Sequence, residues 1–413
     1  MLISENFNRP VSVAPRRILP IIVLAQFAGT SVWFAGNGVL AGLTAAYTLP
    51  PTAVGALSAA VQGGFICGTL LFAIGSIADR YSPSRVFFWC AWLAGASNVL
   101  LVWPGNTYPT LLSERFLTGL ALAGIYPVGM KIAADYYDKG LGKSLGFLVG
   151  ALVLGTAFPH LLRELWPAAA WREVLFVVSG CAVAGGLAMR LGVPDGPYRR
   201  ARAHFDGRAL FRVFGAPKFR AAAFGYFGHM WELYAFWVFV PVLLQAYLVQ
   251  HPAVSFSVPL WAFLIIAAGG VGCVVGGYVA QVWGARNTAA VALAGSGSCC
   301  LLVPVVIFAP PQIFLAFLLV WGTLVVANSP LFSTLVARHA PAESRATALT
   351  IVNCIGFATT VGSIFLLGAL FPQWASYAYW VLAIGPVLGL AGPRSRRLLG
   401  FLLSRSDNRR PAK

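Results

Sequence analysis

His229 and Glu232 stand three residues apart inside the apolar run AAAFGYFGHMWELYAFWVFVPVLL. On a helix that spacing places both on one face. A carboxyl and an imidazole held away from water can bind and release protons or hold a polar solute, and the same pair can also be packing glue between helices. A second set, Gln26, Thr30, Trp33 and Asn37, recurs at steps of four, three and four, the rhythm of one helical face. Such a stripe can line a cavity or bind helix to helix. Tyr126 before Pro127, and Asn328 with Ser329 before Pro330, mark interruptions where backbone polar groups become available to a ligand. Tyr234, with Trp231 and Trp237, can stack on a flat organic solute or simply pack.

Lys131 lies sixteen residues beyond Arg115, about 24 Å along a helix. That puts it at a helix end, where it either snorkels or attracts an anionic solute. Arg115 adjoins Glu114, so the two point to different faces, and Arg115 needs a partner on another helix or a backbone carbonyl. His160, after Phe158 and Pro159, reads as an interfacial residue. Two decoys fall away. The His229 and Glu232 pair lacks the second histidine of a zinc hydrolase, and Gly142, Lys143 and Ser144 end like a phosphate loop but have Tyr137 where its first glycine belongs. No nucleophile or metal constellation is visible, so no enzyme and no cofactor is expected.

The elements that position these residues must be membrane helices. Of 413 residues, 59% are hydrophobic and only 10% charged, and the mean hydropathy is +0.78. Soluble chains carry about 25% charged residues, so a soluble enzyme, a disordered chain and a nucleic-acid-binding domain are excluded. A span needs about 20 apolar residues, and twelve such runs occur, at roughly 18–43, 53–77, 85–103, 108–134, 142–163, 171–192, 220–249, 257–282, 288–309, 312–337, 346–371 and 375–391. Their length and continuity fit helices rather than membrane strands. The seven cysteines all lie in such runs and read as small hydrophobes.

The net charge of +17 would suggest a nucleic-acid partner in a soluble protein, but here 25 of the 29 Lys and Arg fall on one side of the predicted spans. By the positive-inside rule that side is cytoplasmic, and both termini lie there. The chain then divides into a cytoplasmic tail (1–17), a six-helix bundle (18–192), a basic linker (193–219), a second six-helix bundle (220–391) and a basic cytoplasmic tail (392–413).

The halves resemble each other. At an offset of 202, Gly75, Ala78 and Asp79 fall on Gly277, Ala280 and Gln281, and at 203 Gly119 and Pro127 fall on Gly322 and Pro330. Two such halves describe a transporter that rocks around a site between them. The loop carrying Gly75, Ala78, Asp79, Arg80 and Arg85 resembles the G-x-L-A-D-R-x-G-R-R/K signature of the major facilitator superfamily, with Ser82 at the second glycine and the last cation displaced by one. Arg115 and Gly119 resemble the R-x-x-x-G signature of its fourth helix. The resemblance implies an all-α fold of twelve spans in two pseudo-symmetric bundles, and a loop that latches the outward-facing state through Asp79. Gln281 replaces the acid in the second half, so no second latch is expected there.

The expectation is a proton-coupled secondary transporter of the bacterial inner membrane, monomeric, moving a small solute by alternating access. Glu232 and His229 are its expected proton-coupling pair. Gln26, Thr30, Trp33, Asn37, Tyr126, Lys131, Tyr234 and Asn328 are the candidate solute contacts. Its rivals are an efflux pump of the same fold and, from another class, a membrane-embedded enzyme or receptor.

Overall fold

The computed structural model describes residues 15–137, 141–166, 170–199, 214–341 and 345–391. Described residues are all helix, turn or coil. In lipid a chain must satisfy its own backbone, and helices do so within one segment. The helices are α1 (Ile18–Thr30), α2 (Ala35–Gly38), α3 (Leu40–Tyr47), α4 (Ala53–Gly75), α5 (Ile77–Arg80), α6 (Pro83–Leu100), α7 (Tyr108–Leu122), α8 (Tyr126–Tyr136), α9 (Leu141–Leu165) and α10 (Trp171–Gly192). The second half holds α11 (Pro217–Gln250), α12 (Val258–Trp283), α13 (Ala285–Val306), α14 (Pro311–Ala327), α15 (Ser329–His339), α16 (Arg345–Trp374), a 3-10 segment (Ala375–Ala383) and α17 (Ile384–Ala391).

Among the described residues nine helical stretches are long and apolar enough to cross a membrane. The predicted run at 18–43 is not one helix, because the chain leaves helical geometry at Ser31–Phe34 and again at Val39. The run at 85–103 corresponds to α6, whose Arg85 and Asn98 lower its hydropathy. The last two runs are joined through the 3-10 segment into one apolar stretch, Thr347–Ala391.

Two further breaks have a clear cause. Proline lacks an amide and its ring clashes with the carbonyl four residues back. Pro127 therefore disturbs the turn at Ala123, where α7 ends, and Pro330 disturbs the turn at Val326, beside the end of α14. Both breaks fall at the same place in the repeat.

Packing repeats as well. Helix α4 lies along α7 as α12 lies along α14, and α1 packs on α9 and α10 as α11 packs on α16 and α17. Close approach within the first of these pairs depends on missing side chains. A Cβ on Gly119 would sit 1.9 Å from the Val61 carbonyl oxygen, and one on Gly322 would sit 2.2 Å from that of Ile265. Small residues at such crossings let backbones meet and gain dispersion where lipid supplies no hydrophobic drive. Between the halves the main pairs are α9 with α12 and α4 with α16.

The basic linker does not begin free of the first half. Residues 193–199 pack on it: Tyr136 donates to the Pro194 carbonyl at 2.6 Å and the Tyr198 amide to the Asp135 carbonyl at 3.0 Å. The second half starts at α11, three residues before the predicted boundary. Arg9, Lys139, Arg200, Arg202, Arg208, Arg212 and the tail cations from Arg394 onward lie outside the described residues.

Candidate functional site

The break in α1 and the helix-four arginine form one unit. Leaving helical geometry at Ser31–Phe34 frees backbone carbonyls inside the protein, each costly if unpaired. Arg115 is 1% exposed and donates to the Val32 carbonyl at 3.1 Å, to the Trp33 carbonyl and to Asn98 Oδ1 at 3.5 Å. Its guanidinium replaces amides that a continuous helix would supply, and its planar fork suits two neighbouring acceptors.

That break also corrects the expected polar stripe. Thr30 donates to the Gln26 carbonyl at 2.8 Å and packs on Gly155 of α9. Asn37, on the separate helix α2, donates to Ser58 Oγ of α4 at 2.8 Å. Gln26 lies against Gly129 of α8. Only Trp33 of the four faces the second half. The other three meet three different helices: Gln26 and Thr30, one turn apart on α1, meet α8 and α9, and the break at residues 31–34 turns Asn37 onto α4.

Trp33 enters an aromatic cluster that joins the halves. Its ring lies 4.9 Å from Phe65, 5.7 Å from Tyr234 and 5.9 Å from Phe357, and Phe34 lies 6.0 Å from Trp237. These rings come from the α1 break, α4, α11 and α16, and all are buried. The indole N–H groups of Trp33 and Trp237 have no partner within the protein. Trp231 is different: its N–H donates to the Val381 carbonyl at 2.9 Å and ties α11 to the 3-10 segment.

Glu232 and His229 are both 0% exposed, yet they do not pair. Glu232 accepts from Trp321 Nε1 at 2.7 Å, from Ser296 Oγ at 2.8 Å and from Cys300 Sγ at 3.4 Å. No cation lies within ion-pair distance of it among the described residues. His229 is one turn away, its ring set beside the Asn328 side chain and the Val325 backbone. Both residues face the α14–α15 segment, but three residues of rise separate them by about 4.5 Å along α11. The expected pair is therefore two sites. Tyr126 opens α8 at the break, and Asn328 sits in the matching break beside His229.

At the end of the first half that carries residues 76–82, Lys131 pairs with Asp79 at 2.9 Å and with Asp135 at 3.7 Å. It is not a free anion-binding cation, because the last turn of α8 sets it against the loop acid. Arg199 pairs with Asp195 at 2.6 Å and donates to the carbonyls of Asp79 at 3.0 Å and Tyr81 at 2.8 Å, while Ser82 donates to Asp195 at 2.7 Å. Asp79, Lys131 and Arg199 thus join the 76–82 loop, α8 and residues 195–199 within one half. Arg80 and Arg85 are exposed and make no bond there. Gly75 ends α4, and the chain turns through Ser76 at φ 49° to aim Asp79 at Lys131.

Two features were not anticipated. At the opposite end Ser257, which caps α12 by accepting from the Leu260 amide at 3.3 Å, donates to Glu164 of α9 and so links the halves. A polar residue at the end of each of two runs is the only sequence trace of this bond. His160, expected at an interface with lipid headgroups, is 4% exposed inside the protein, because the neighbouring Pro159 packs on Gly38.

The sequence model of the Major Facilitator Superfamily matches residues 22–364. The chain belongs to this superfamily. As a member it is a membrane transporter and not an enzyme. The nucleoside transporter NupG superposes with a TM-score of 0.70 at 13% identity, over 91% of this chain and 99% of that one. The xylose transporter XylE from E. coli, in an inward-open conformation, superposes with a TM-score of 0.71 at 14% identity, over 91% and 95%. A Haemophilus influenzae protein whose name proposes metabolite transport is 28% identical over 133 residues, 30% of this chain. That match spans 32% of the relative, about a third of its length.

Proposed function

We propose that this superfamily member is a secondary active transporter of the bacterial inner membrane that moves a small organic solute by alternating access, coupled to protons through Glu232. The two rocking bodies are residues 18–192 and 220–391, joined by the 193–219 linker, with both termini cytoplasmic and one chain as the working unit. The observation that carries the coupling is the Glu232 carboxyl: fully buried, held by three neutral donors and, among the described residues, facing no cation. Each proton it trades changes the charge inside the second half by one unit, and a change confined to one place can bias two conformations differently. The Ser257–Glu164 bond holds the outer ends of α9 and α12 together, and the aromatic cluster joins the halves at mid-span.

Glu232→Gln keeps shape and hydrogen bonding but cannot titrate. In proteoliposomes, uptake driven by a pH gradient should vanish while solute-for-solute exchange persists, since exchange needs no return of an empty carrier. Wild-type behaviour in both modes would make Glu232 a packing residue, and loss of both, in protein of unchanged thermal stability, would make it a solute ligand.

A further inference from the structure

A hydroxyl carries one proton and two lone pairs, so between two acceptors it serves one at a time while still able to accept. Ser296 of α13 is such a group. Its Oγ lies 2.8 Å from Glu232 Oε2 and 3.2 Å from the Leu293 carbonyl oxygen of its own helix, and the residue is 0% exposed. Bonds back to the preceding turn are common for helical serines and mean little alone. Ser298 on the same helix makes one, to the Ala294 carbonyl at 2.9 Å. The carboxyl as second acceptor sets Ser296 apart.

The two oxygens of Glu232 are not equivalent. Oε1 accepts from Trp321 Nε1 at 2.7 Å and from Cys300 Sγ at 3.4 Å. An indole donates and never accepts, and a thiol accepts weakly, so a proton on Oε1 would face donors. Oε2 meets the Ser296 hydroxyl, and a 2.8 Å contact between two oxygens works in either direction. With the carboxylate ionised, Ser296 donates to it. With the acid formed, Oε2–H donates to Ser296 Oγ and the serine proton turns to the Leu293 carbonyl. Every polar hydrogen keeps an acceptor in both forms, and no heavy atom has to move. Fixed donors alone would hold the buried carboxyl in its ionised form.

We propose that Ser296 is the positioning residue that lets this closed site hold Glu232 in either form, and that the coupling proton resides on Oε2. This rests on the coupling reading above and assigns it to atoms. The other titratable groups around the carboxyl are the Cys299 and Cys300 thiols of α13, His229 one turn along α11 and, beyond Trp321, Tyr379 of the 3-10 segment, whose hydroxyl donates to the Phe239 carbonyl at 3.0 Å. Helices α14 and α17 contain no titratable side chain, and among the described residues no charged side chain of α12, α15 or α16 bonds to Glu232.

Infrared spectra of the purified transporter in lipid are titrated with pH, and the acid band of Glu232 is the one missing from Glu232→Gln. In Ser296→Ala the carboxylate loses a charge-assisted bond, stronger than the neutral one the acid loses. The midpoint of the titration should therefore move to higher pH by about half a unit to one unit, and the carbonyl stretch of the acid should rise in frequency as its O–H loses its acceptor. Cys300→Ala, which removes a weak donor from Oε1, should move the midpoint less. A midpoint or a stretch that stays at the wild-type value in Ser296→Ala overturns the proposal and leaves Glu232 as a coupling carboxyl, and an equal or larger midpoint shift in Cys300→Ala overturns the assignment to Oε2. A wild-type spectrum with no Glu232-dependent band at any pH removes the coupling reading and this one together.

Discussion

Replacing Gly119 with alanine puts a methyl carbon 1.9 Å from the Val61 carbonyl oxygen and 3.0 Å from the Phe65 amide nitrogen. Real Cβ contacts essentially stop near 3.0 Å, so α4 and α7 must part by about 1.1 Å at their crossing. The obstacle is backbone on a helix and cannot rotate away. Overpacking of this kind costs about 1–3 kcal/mol, and the better helix propensity of alanine returns no more than about 1 kcal/mol. With a cost at the upper end of that range, as a fixed backbone obstacle implies, the expected net loss is about 2 kcal/mol. Gly322→Ala, at 2.2 Å from the Ile265 oxygen, should behave similarly in the second half, and Gly277→Ala, with nothing within 4 Å, should be neutral or slightly stabilising. Thermal melting of the three variants in one lipid, scored by fluorescence of a thiol-reactive dye on the buried cysteines, reads the comparison directly. If Gly119→Ala melts with Gly277→Ala, the close approach of α4 and α7 is wrong and with it the argument that these glycines set the spacing of each half.

Other outcomes follow from named contacts. Asp79→Asn should slow transport while leaving folded protein, and in a double-mutant cycle with Lys131→Met the coupling should be no more than about 1 kcal/mol, because both side chains are about one quarter exposed; strict additivity in transport rate would sever the ion pair from function. Arg115→Lys cannot bridge the Val32 and Trp33 carbonyls together, so melting should fall by an amount equivalent to about 1–3 kcal/mol, and an unchanged melting temperature would show that the α1 break holds without it. Cysteines placed at 164 and 257 should crosslink readily in the resting protein and block transport reversibly; free transport in the crosslinked form would refute the outer-gate role of that contact.

Much of the fold is legible because lipid leaves few options: apolar runs of the right length must be helices, and Pro127 and Pro330 announce their breaks through chemistry local to the chain. The α1 break is not local. Residues 31–34 read as an ordinary apolar stretch, and what stabilises their departure from the helix is a guanidinium some 80 positions later. Glu232 stood out from its surroundings alone, since a carboxyl in the middle of an apolar run is conspicuous. Its partners Ser296, Cys300 and Trp321 did not, as each is commonplace in a helix. The separation of His229 from Glu232 depends on which side chains α13 and α14 present at successive turns, which spacing on α11 cannot reveal. The ion pair of Lys131 is hidden for the same reason. Its partner Asp79 lies 52 residues earlier, and only the packing of α8 against the loop brings them together.

The three ion pairs among the described residues, made by five side chains, all sit at one end of one half. Dissolved salt therefore reaches this transporter unevenly. At physiological ionic strength charges are screened over about 8 Å and at 1 M over about 3 Å, which would loosen the 79–82 loop, the end of α8 and residues 195–199 together while leaving the second half, whose corresponding loop carries Gln281, untouched. The duplicated architecture keeps its glycine crossings in both copies but, among the described residues, its ion pairs in one, so the two halves are alike in packing and unlike in their response to dissolved ions.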